Sequence, residues 1–270
     1  MKFWKMQSLG NDFVVLNGIS RKLDLSKENI KWMADRHFGI GCDQVLVVEP
    51  PRHQQEDFHY RIFNADGREV GQCGNGARCL AYYIKDQGLS HKKELRLGTL
   101  TTQVEVHIKE DDIFEVNMGS PIFSHELIPY DESKLKNRVI ATEAGDLALF
   151  VLSMGNPHAV TIVPDVSVID VAKIGKIISE HPAFPEQTNV IFMELFNPGW
   201  VKCRIYERGA AETLACGSGA CAALVAGREQ SLLNDNVLID LPGGRLELIW
   251  RNNQVWLKGS ATKVFEGAIA

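Results

Sequence analysis

The stretch Gln72-Cys73-Gly74-Asn75-Gly76-Ala77-Arg78-Cys79 decides the fold, because a cysteine stands before Gly-x-Gly and an apolar run follows it. The arrangement returns 143 residues later as Ala215-Cys216-Gly217-Ser218-Gly219-Ala220-Cys221. Glycine lets the backbone approach a ligand closely. The N–H groups at a helix N-terminus bind anions and favour a thiolate. Each motif therefore predicts a cysteine with an accessible thiolate at the start of a helix.

Working outward from these motifs, further blocks recur in the same order with slowly drifting spacing. An internal repeat of this length predicts a duplicated domain rather than a solenoid. The paired blocks are Arg61-Ile-Phe-Asn64 with Arg204-Ile-Tyr-Glu207 at 143 residues, Leu9-Gly-Asn-Asp-Phe13 with Met154-Gly-Asn-Pro-His158 at 145, Asp43-Gln-Val-Leu46 with Thr188-Asn-Val-Ile191 at 145, and Met118-Gly-Ser-Pro121 with Lys258-Gly-Ser-Ala261 at 140.

The order of alternating and apolar segments predicts an α+β protein of two similar domains, each a mostly antiparallel sheet around a central helix. We place the N-terminal half at residues 1–117 and the C-terminal half at 118–261. The last segment, residues 262–270, has no counterpart at the start of the second half. We therefore expect it to return to the first half as a strand.

Composition excludes several classes of protein. The chain has 270 residues, 45% of them hydrophobic, and a formal net charge of −5 without a long run of one sign. This is enough apolar material for two full cores, and it lacks the basic patch of a nucleic-acid-binding protein. No apolar stretch reaches the ~20 residues that span a bilayer. The N-terminus lacks the features of a signal peptide, so we expect a cytoplasmic location.

The six cysteines do not follow a zinc-binding or redox pattern. Within the two motifs the spacings are C-x5-C and C-x4-C, whereas structural zinc sites and redox pairs favour C-x2-C. We therefore predict that no metal is bound. We also predict that the thiols are reduced, as is usual in the cytoplasm. Cys42, Cys79, Cys203 and Cys221 are interpreted as small buried residues. Cys73 and Cys216 differ because each lies in a glycine frame.

The duplicated cysteines suit one reaction class especially well. If the two halves place equivalent residues on opposite sides of a ligand, one thiolate can remove a proton from one face of a carbon while the other thiol supplies a proton to the opposite face. This is racemisation or epimerisation. The helix N-terminal N–H groups would hold a substrate carboxylate as charge develops on it. Three polar pairs recur across the repeat and strengthen the hypothesis of a shared site: Asn11 and Asn156, Gln44 and Asn189, and Asn64 and Glu207.

The chain resembles the diaminopimelate epimerase family essentially from end to end. The motifs that carry the resemblance are Leu9-Gly-Asn-Asp-Phe13, Gly39-Ile-Gly-x-Asp-Gln44, Asn64-Ala-Asp-Gly67, Cys73-Gly-Asn-Gly-x-Arg-Cys79, Met154-Gly-Asn-Pro-His158, Glu207-Arg-Gly209 and Thr213-x-Ala-Cys-Gly-x-Gly-x-Cys221. The resemblance implies a cofactor-independent isomerase that interconverts LL- and meso-diaminopimelate on the route to lysine and peptidoglycan. It implies a small amino-acid substrate and no partner nucleic acid or membrane; a homodimer is left open.

Site residues follow from the resemblance motif by motif. It implies that Cys73 and Cys216 are the acid/base pair and that His158 and Gln44 complete the site. The distal amino-acid end of the substrate would be held by Asn11, Asn64, Asn156, Asn189, Glu207 and Arg208. The reacting carboxylate would be held by backbone donors at Gly74 and Gly217, with Asn75 and Ser218. One position departs from the family pattern, since Ala211 replaces the second glycine of Glu-Arg-Gly-x-Gly. A positive φ there would strain alanine.

Three alternatives stay open at this stage. A related racemase for proline or hydroxyproline would share both cysteines, but Glu207, Arg208 and the asparagines suit a zwitterionic amino-acid group better than a pyrrolidine ring. A non-catalytic anion-binding module would use the same helix N-termini without chemistry, and its thiols would alkylate at an ordinary rate. Dependence on pyridoxal phosphate is also open, because a Schiff-base lysine has no dependable sequence signature; an absorbance spectrum would detect the cofactor.

Overall fold

A computed structural model describes residues 1–71 and 73–269, so that Gln72 of the first motif and Ala270 of the expected final strand lie outside the described residues. The chain divides into two units. The N-terminal unit comprises Met1–Asn117 and Lys258–Ala270, and the C-terminal unit comprises Met118–Leu257. The second boundary thus lies at Leu257, four residues before the position 261 expected from the sequence.

The N-terminal unit is a sheet with two α-helices. Its helices are α1 (Lys27–Ala34) and α2 (Gly74–Asp86). Its strands are β1 (Lys2–Ser8), β2 (Asn11–Asn17), β3 (Gln44–Glu49), β4 (Phe58–Asn64), β5 (Glu69–Val70), β6 (Glu94–Gly98), β7 (Gln103–Ile108), β8 (Ile113–Asn117) and β19 (Thr262–Ala268). The pairs β2–β3 and β4–β6 are parallel, and the pairs β1–β2, β3–β4, β4–β5, β6–β7 and β7–β8 are antiparallel. Strand β19 pairs antiparallel with β1, with Lys2 opposite Ala268.

The C-terminal unit repeats this plan. Its helices are α3 (Val171–Ser179) and α4 (Gly217–Glu229). Its strands are β9 (Val139–Thr142), β10 (Gly145–Ala148), β11 (Phe150–Ser153), β12 (Pro157–Ile162), β13 (Asn189–Asn197), β14 (Trp200–Glu207), β15 (Ala211–Thr213), β16 (Asn236–Leu241) and β17 (Gly244–Arg251), and β18 (Gln254–Ser260) contains the boundary at Leu257. Short 3-10 helices cover His125–Leu127, Glu132–Lys134, Lys136–Arg138 and Val166–Val168.

The duplication extends to strand register. In the N-terminal unit Phe13 lies opposite Gln44 in a parallel pair, and in the C-terminal unit His158 lies opposite Asn189 in a parallel pair. Both partners are displaced by 145 residues, so the same pairing is built twice. Helices α2 and α4 each have 13 residues. The protein is therefore α+β, with two similar, mostly antiparallel domains that arose by duplication.

A central helix is enclosed by strands in each unit. Helix α2 contacts β1, β2, β3, β7, β8 and β19, and α4 contacts β11, β12, β13, β14 and β17. Ten of the 13 residues of α2 are buried, as are the nine consecutive residues from Gly219 to Gly227 in α4. A helix buried on most of its faces leaves little room for polar side chains that lack hydrogen-bond partners. The small side chains of α4 meet this demand and let the strands approach closely.

Residues 122–149 form an additional layer in the C-terminal unit. This segment holds three of the 3-10 helices and the antiparallel β9–β10 hairpin. Its apolar residues Ile128, Leu135, Ile140 and Leu147 are buried in the same core cluster as helix α3. Within the described part of the chain, no helix is both long and apolar enough to cross a membrane.

Candidate active site

Cys73 is the N-cap residue of α2, with extended backbone angles of φ −150° and ψ 112°. Its sulfur accepts a hydrogen bond from the backbone N–H of Gly76 at 3.4 Å. A Cβ added at Gly76 would lie 3.1 Å from a methyl group of Leu46, so glycine lets the first turn of the helix approach β3. The thiol group is therefore placed where the N-terminal N–H groups of the helix stabilise negative charge.

Two of the predicted asparagines lie beside Cys73. The Oδ1 atom of Asn11 is 3.9 Å from the Cys73 sulfur, and the same oxygen accepts a hydrogen bond from Nδ2 of Asn75 at 3.3 Å. Asn75 is buried, whereas Asn11 and Cys73 are partly exposed. The structure thus brings three sequence-predicted residues, from β2 and from the start of α2, into one cluster in the N-terminal unit.

Gln44 and Asn64 form a second pair in this unit. They are opposite one another in the β3–β4 register, and Nε2 of Gln44 donates to Oδ1 of Asn64 at 2.8 Å. The Oε1 atom of Gln44 is buried, and it has no hydrogen-bond partner among the described residues. A buried acceptor without a partner is costly unless a ligand satisfies it. The pair therefore offers an acceptor on Gln44 and an amide donor on Asn64, side by side.

Cys216 is the N-cap residue of α4 and is more deeply buried than Cys73. Its sulfur lies 3.6 Å from Oγ of Ser218. Burial raises the pKa of the Cys216 thiol well above its ordinary value, and the charge of Glu207 raises it further, against smaller opposing effects of Ser218 and the Gly219 N–H. Desolvation outweighs the helix contribution at Cys216, so this environment favours the neutral thiol over the thiolate that the motif predicts.

Glu207 lies at the end of β14, the position equivalent to Asn64 in the first unit. Its Oε1 accepts a hydrogen bond from the hydroxyl of Thr213 at 2.5 Å. Its carboxylate also interacts with the Cys216 thiol and favours the protonated form. This arrangement joins the end of β14, the short strand β15 and the start of α4 at one place.

His158 is fully buried and neutral. Its Nε2 lies 2.9 Å from Oδ1 of Asn156. Burial lowers the pKa of His158 to about 3, with a smaller contribution from the charge of Arg208. Because Asn156 offers an oxygen, Nε2 carries the proton and Nδ1 is an acceptor. No described residue donates a hydrogen bond to that Nδ1 atom.

Asn189 is used by the protein itself. Its Nδ2 donates to the backbone oxygen of Pro157 at 3.2 Å, and its Oδ1 accepts from the backbone N–H of Arg208 at 3.0 Å. The side chain of Asn189, which lies in β13, thereby links β12 to the turn after β14. The exposed Arg208 donates through Nη1 to the backbone oxygen of Glu186 at 3.2 Å. In this state Asn189 positions Arg208 through its backbone, and the oxygen of Asn189 already accepts one hydrogen bond.

Ala211 has a φ of +62°, in the left-handed region that favours glycine. It is exposed and begins β15, opposite Glu207. The departure from the family's glycine pattern therefore falls at a position where the backbone conformation strains alanine. The strain lies in the turn that carries Arg208.

Some contacts at these cysteines were not foreseen from the sequence. The hydroxyl of the buried Tyr60 donates to the backbone oxygen of Cys73 at 3.3 Å, and Asp43 accepts a hydrogen bond from Asn11. Thr213 and Asp43 lie inside recognisable motifs, so their roles could have been predicted from their positions in those motifs. Tyr60 stands in an ordinary strand pattern, and only the tertiary structure reveals its contact.

Several solved structures share this fold at low sequence identity. A hydroxyproline epimerase from Agrobacterium vitis matches with a TM-score of 0.72 and 14% identity, over 99% of this chain and 91% of that chain. A probable proline racemase from Agrobacterium radiobacter K84 matches with a TM-score of 0.72 and 14% identity, over 100% and 92%. A phenazine biosynthesis protein of the PhzF family from Bacillus anthracis matches with a TM-score of 0.68 and 16% identity, over 100% and 99%.

Family membership rests on the sequence itself. The chain matches the family described as diaminopimelate epimerase over residues 3–124 and 150–264. Both cysteine motifs lie inside the matched ranges, whereas most of the additional layer at residues 122–149 lies outside them. The chain therefore belongs to the diaminopimelate epimerase family of isomerases.

Proposed function

We propose that this protein interconverts LL- and meso-diaminopimelate, with Cys73 and Cys216 as the acid and base. The observation that carries the proposal is the duplicated placement of the two thiols. Each is the N-cap residue of a 13-residue buried helix, at equivalent positions in two units that repeat the same strand register. A reaction that transfers one proton at each face of a carbon needs two such groups.

The proton transfers balance without a further reagent. One cysteine, as thiolate, takes the α-proton and becomes a thiol, and the electron pair of the broken C–H bond stays on the carbon. The other cysteine, as thiol, gives its proton to the opposite face and becomes a thiolate. Cys216 is suited to the acid role in the state described, because burial and Glu207 keep it protonated. The Gly76 N–H at the sulfur of Cys73 suits the base role once the thiol proton that faces Oδ1 of Asn11 has been lost. The roles exchange in the reverse reaction.

The negative charge that develops on the reacting carboxylate needs fixed donors. The proposal assigns this task to backbone N–H groups at Gly74 and Gly217, aided by Asn75 and Ser218. Donors at a helix N-terminus are oriented before the reaction and therefore cost little reorganisation. Because the two thiols perform both proton transfers, the proposal calls for no cofactor.

The substrate assignment rests on groups that suit a second amino-acid centre. Gln44 presents an unpartnered acceptor beside the amide donor of Asn64, a combination that matches an ammonium group next to a carboxylate. Arg208 can grip a carboxylate with two parallel hydrogen bonds. We assign Asn156, Asn189 and Glu207 to the same end, with Asn189 acting through the backbone of Arg208. The resemblance places Asn11 there as well, but its oxygen lies 3.9 Å from the Cys73 sulfur, so we assign Asn11 to the reacting centre. Proline lacks a second amino-acid centre to engage these groups.

The biological setting follows from this substrate. The product would supply lysine and peptidoglycan precursor synthesis. We propose a cytoplasmic location, with which the free thiols of Cys42, Cys79, Cys203 and Cys216 agree. A homodimer stays a proposal that ultracentrifugation can test.

The direct test is incubation of the purified protein with LL-diaminopimelate, followed by chromatographic separation of the stereoisomers. We expect meso-diaminopimelate to accumulate from the LL-isomer and the reverse from the meso-isomer, with proline and hydroxyproline unchanged. Turnover of proline but not of diaminopimelate would move the chain to the racemase alternative. If none of these amino acids is converted and the thiols of the protein alkylate at an ordinary rate, the anion-binding alternative is favoured.

The two-base assignment is tested with Cys73→Ala and Cys216→Ala, using Cys42→Ala as the control for loss of a buried thiol. Each of the first two variants should lose net epimerisation in both directions, and the control should keep it. A lone thiolate can still remove the proton that it faces, so any exchange of deuterium from solvent should affect one stereoisomer, a different one in each variant. Near-normal epimerisation by either variant would refute the mechanism.

A further inference from the structure

A chain of side-chain hydrogen bonds runs past Cys73 in one direction. Nη2 of Arg78 donates to Oδ1 of Asn75 at 2.7 Å. Nδ2 of Asn75 donates to Oδ1 of Asn11 at 3.3 Å, and Nδ2 of Asn11 donates to Oδ2 of Asp43 at 2.9 Å. The chain therefore begins at a cation and ends at a carboxylate, with two amides between them.

The two ends determine how both amides are oriented. A guanidinium can only donate and an ionised carboxylate can only accept. If Asn11 turned its amide over, its oxygen would face the Asp43 carboxylate, and its NH2 group would face the NH2 group of Asn75. Each of these contacts would replace a hydrogen bond with a repulsion between like groups. Because Arg78 is fully buried, an oxygen of Asn75 must face it.

Asp43 is itself held in place. Its Oδ2 also accepts the backbone N–H of Asp12 at 3.1 Å, and its Oδ1 accepts from Nη2 of Arg36 at 2.8 Å. Arg36 in turn makes two hydrogen bonds to the carboxylate of Asp12, and the pKa of Asp12 is lowered to about 2 by its bonds to Arg36 and Lys5 against the opposing effect of burial. The carboxylate that anchors Asn11 is thus fixed from three sides.

We propose that Asp43 and Arg78 are positioning residues, which fix the amides of Asn11 and Asn75 so that the oxygen of Asn11 faces Cys73. A ligand group that meets Asn11 there must be a hydrogen-bond donor, such as an ammonium group. Neither positioning residue needs to touch the substrate. The consequence for catalysis rests on the proposed function, whereas the orientation of the amides does not.

The test uses Asp43→Asn, because Arg78 is fully buried and its variants risk misfolding. The Asp43 side chain is 45% exposed, and Asp112→Asn is a matched control, since that side chain is 46% exposed and also forms an ion pair, with Lys85. The side-chain NH2 signals of Asn11 and Asn75 are assigned in ¹H–¹⁵N spectra by their loss in Asn11→Ala and Asn75→Ala. Asp43→Asn should shift both signals, and Asp112→Asn should shift neither. Unshifted Asn11 and Asn75 signals in Asp43→Asn would overturn the proposal.

Kinetics form the second arm. Asp43→Asn should lower kcat/KM by about tenfold, the equivalent of one charge-assisted hydrogen bond. On the Asn11→Ala background the same change should cost less than about twofold, because Asp43 acts through Asn11. Additive losses would overturn the proposal. If the parent protein does not epimerise diaminopimelate, the proposed function fails, and the spectra still decide the amide orientations.

A double variant guards against misfolding of the single one. Asn11→Asp combined with Asp43→Asn exchanges the two side chains, so that the amide introduced at position 43 can donate to the carboxylate introduced at position 11. The Asn75 amide then keeps an acceptor at position 11, and its signal should return close to the parent position. In Asn11→Asp alone two carboxylates meet, and we expect a lower melting temperature that the exchange restores. A double variant no more stable than Asn11→Asp would contradict the pairing.

Discussion

Ala211→Gly should stabilise the protein, although the same change is destabilising at most positions. Ala211 has a φ of +62°, and a left-handed conformation costs an L-residue about 1–2 kcal/mol. Glycine removes this strain but makes the unfolded chain more flexible, which costs about 0.4–1 kcal/mol. The difference is a gain in the free energy of unfolding of about 0.5–1 kcal/mol. Since Ala211 is exposed, the lost methyl group removes little packing.

The assay is chemical denaturation with circular dichroism, supported by calorimetry, where this gain raises the melting temperature by about 1–3 °C for a cooperative unit of this size. Ala210→Gly is the matched control, because Ala210 is an exposed neighbour in the same turn and is not among the non-glycine residues with positive φ. That variant should be destabilised by about 0.4–1 kcal/mol. Equal changes of the same sign in both variants would show that the backbone conformation of Ala211 is not the cause.

Three further predictions concern the site. Glu207→Gln should lower the pKa of the Cys216 thiol, because Glu207 raises it; alkylation rates against pH on a Cys73→Ala background measure this, and an unchanged profile would contradict it. The pKa of His158 is lowered to about 3 from 6.5, so its neutral form stabilises the native state above pH 6.5, and this contribution is lost as the pH falls toward 3. His158→Phe should therefore flatten the dependence of the unfolding free energy on pH between about 3 and 6.5. An equally steep dependence in the variant would refute the assignment. Gly219→Ala would place a Cβ 2.9 Å from Ile205 and 3.4 Å from the Cys216 sulfur, so we expect a loss of about 1–3 kcal/mol in stability and slower turnover, and denaturation curves like those of the parent would contradict it.

The fold could be predicted from the sequence because the motifs that determine it are local and occur in both halves of the chain. The glycine motifs place the starts of α2 and α4 at Gly74 and Gly217, and the repeated blocks anticipate the shared register of Phe13 with Gln44 and His158 with Asn189. The additional layer at residues 122–149 has no second copy, so the repeat could not reveal that Ile128 and Leu147 join the core.

The residue types of the candidate site could be predicted from the sequence, but the protonation and hydrogen-bond partners of those residues could not. A motif identifies Cys216 as a helix N-cap residue, yet its protonation depends on burial and on Glu207, which reaches it only in the folded chain. Asn189 matches the repeat pattern of a ligand residue, and both ends of its amide are bound to backbone groups of Pro157 and Arg208. Whether such a side chain contacts a ligand or another part of the protein depends on the tertiary structure.

The pairing of β19 with β1 sets an order for folding during synthesis. The C-terminal unit is one continuous segment, Met118–Leu257, whereas the N-terminal unit needs residues from 258 onward to complete its sheet. Domains generally fold as units while the chain emerges from the ribosome. The half that is translated first must therefore wait, with β1 lacking its partner strand, until the half translated later has already left the exit tunnel. During this interval β1 presents an unpaired strand edge, which can pair with another chain.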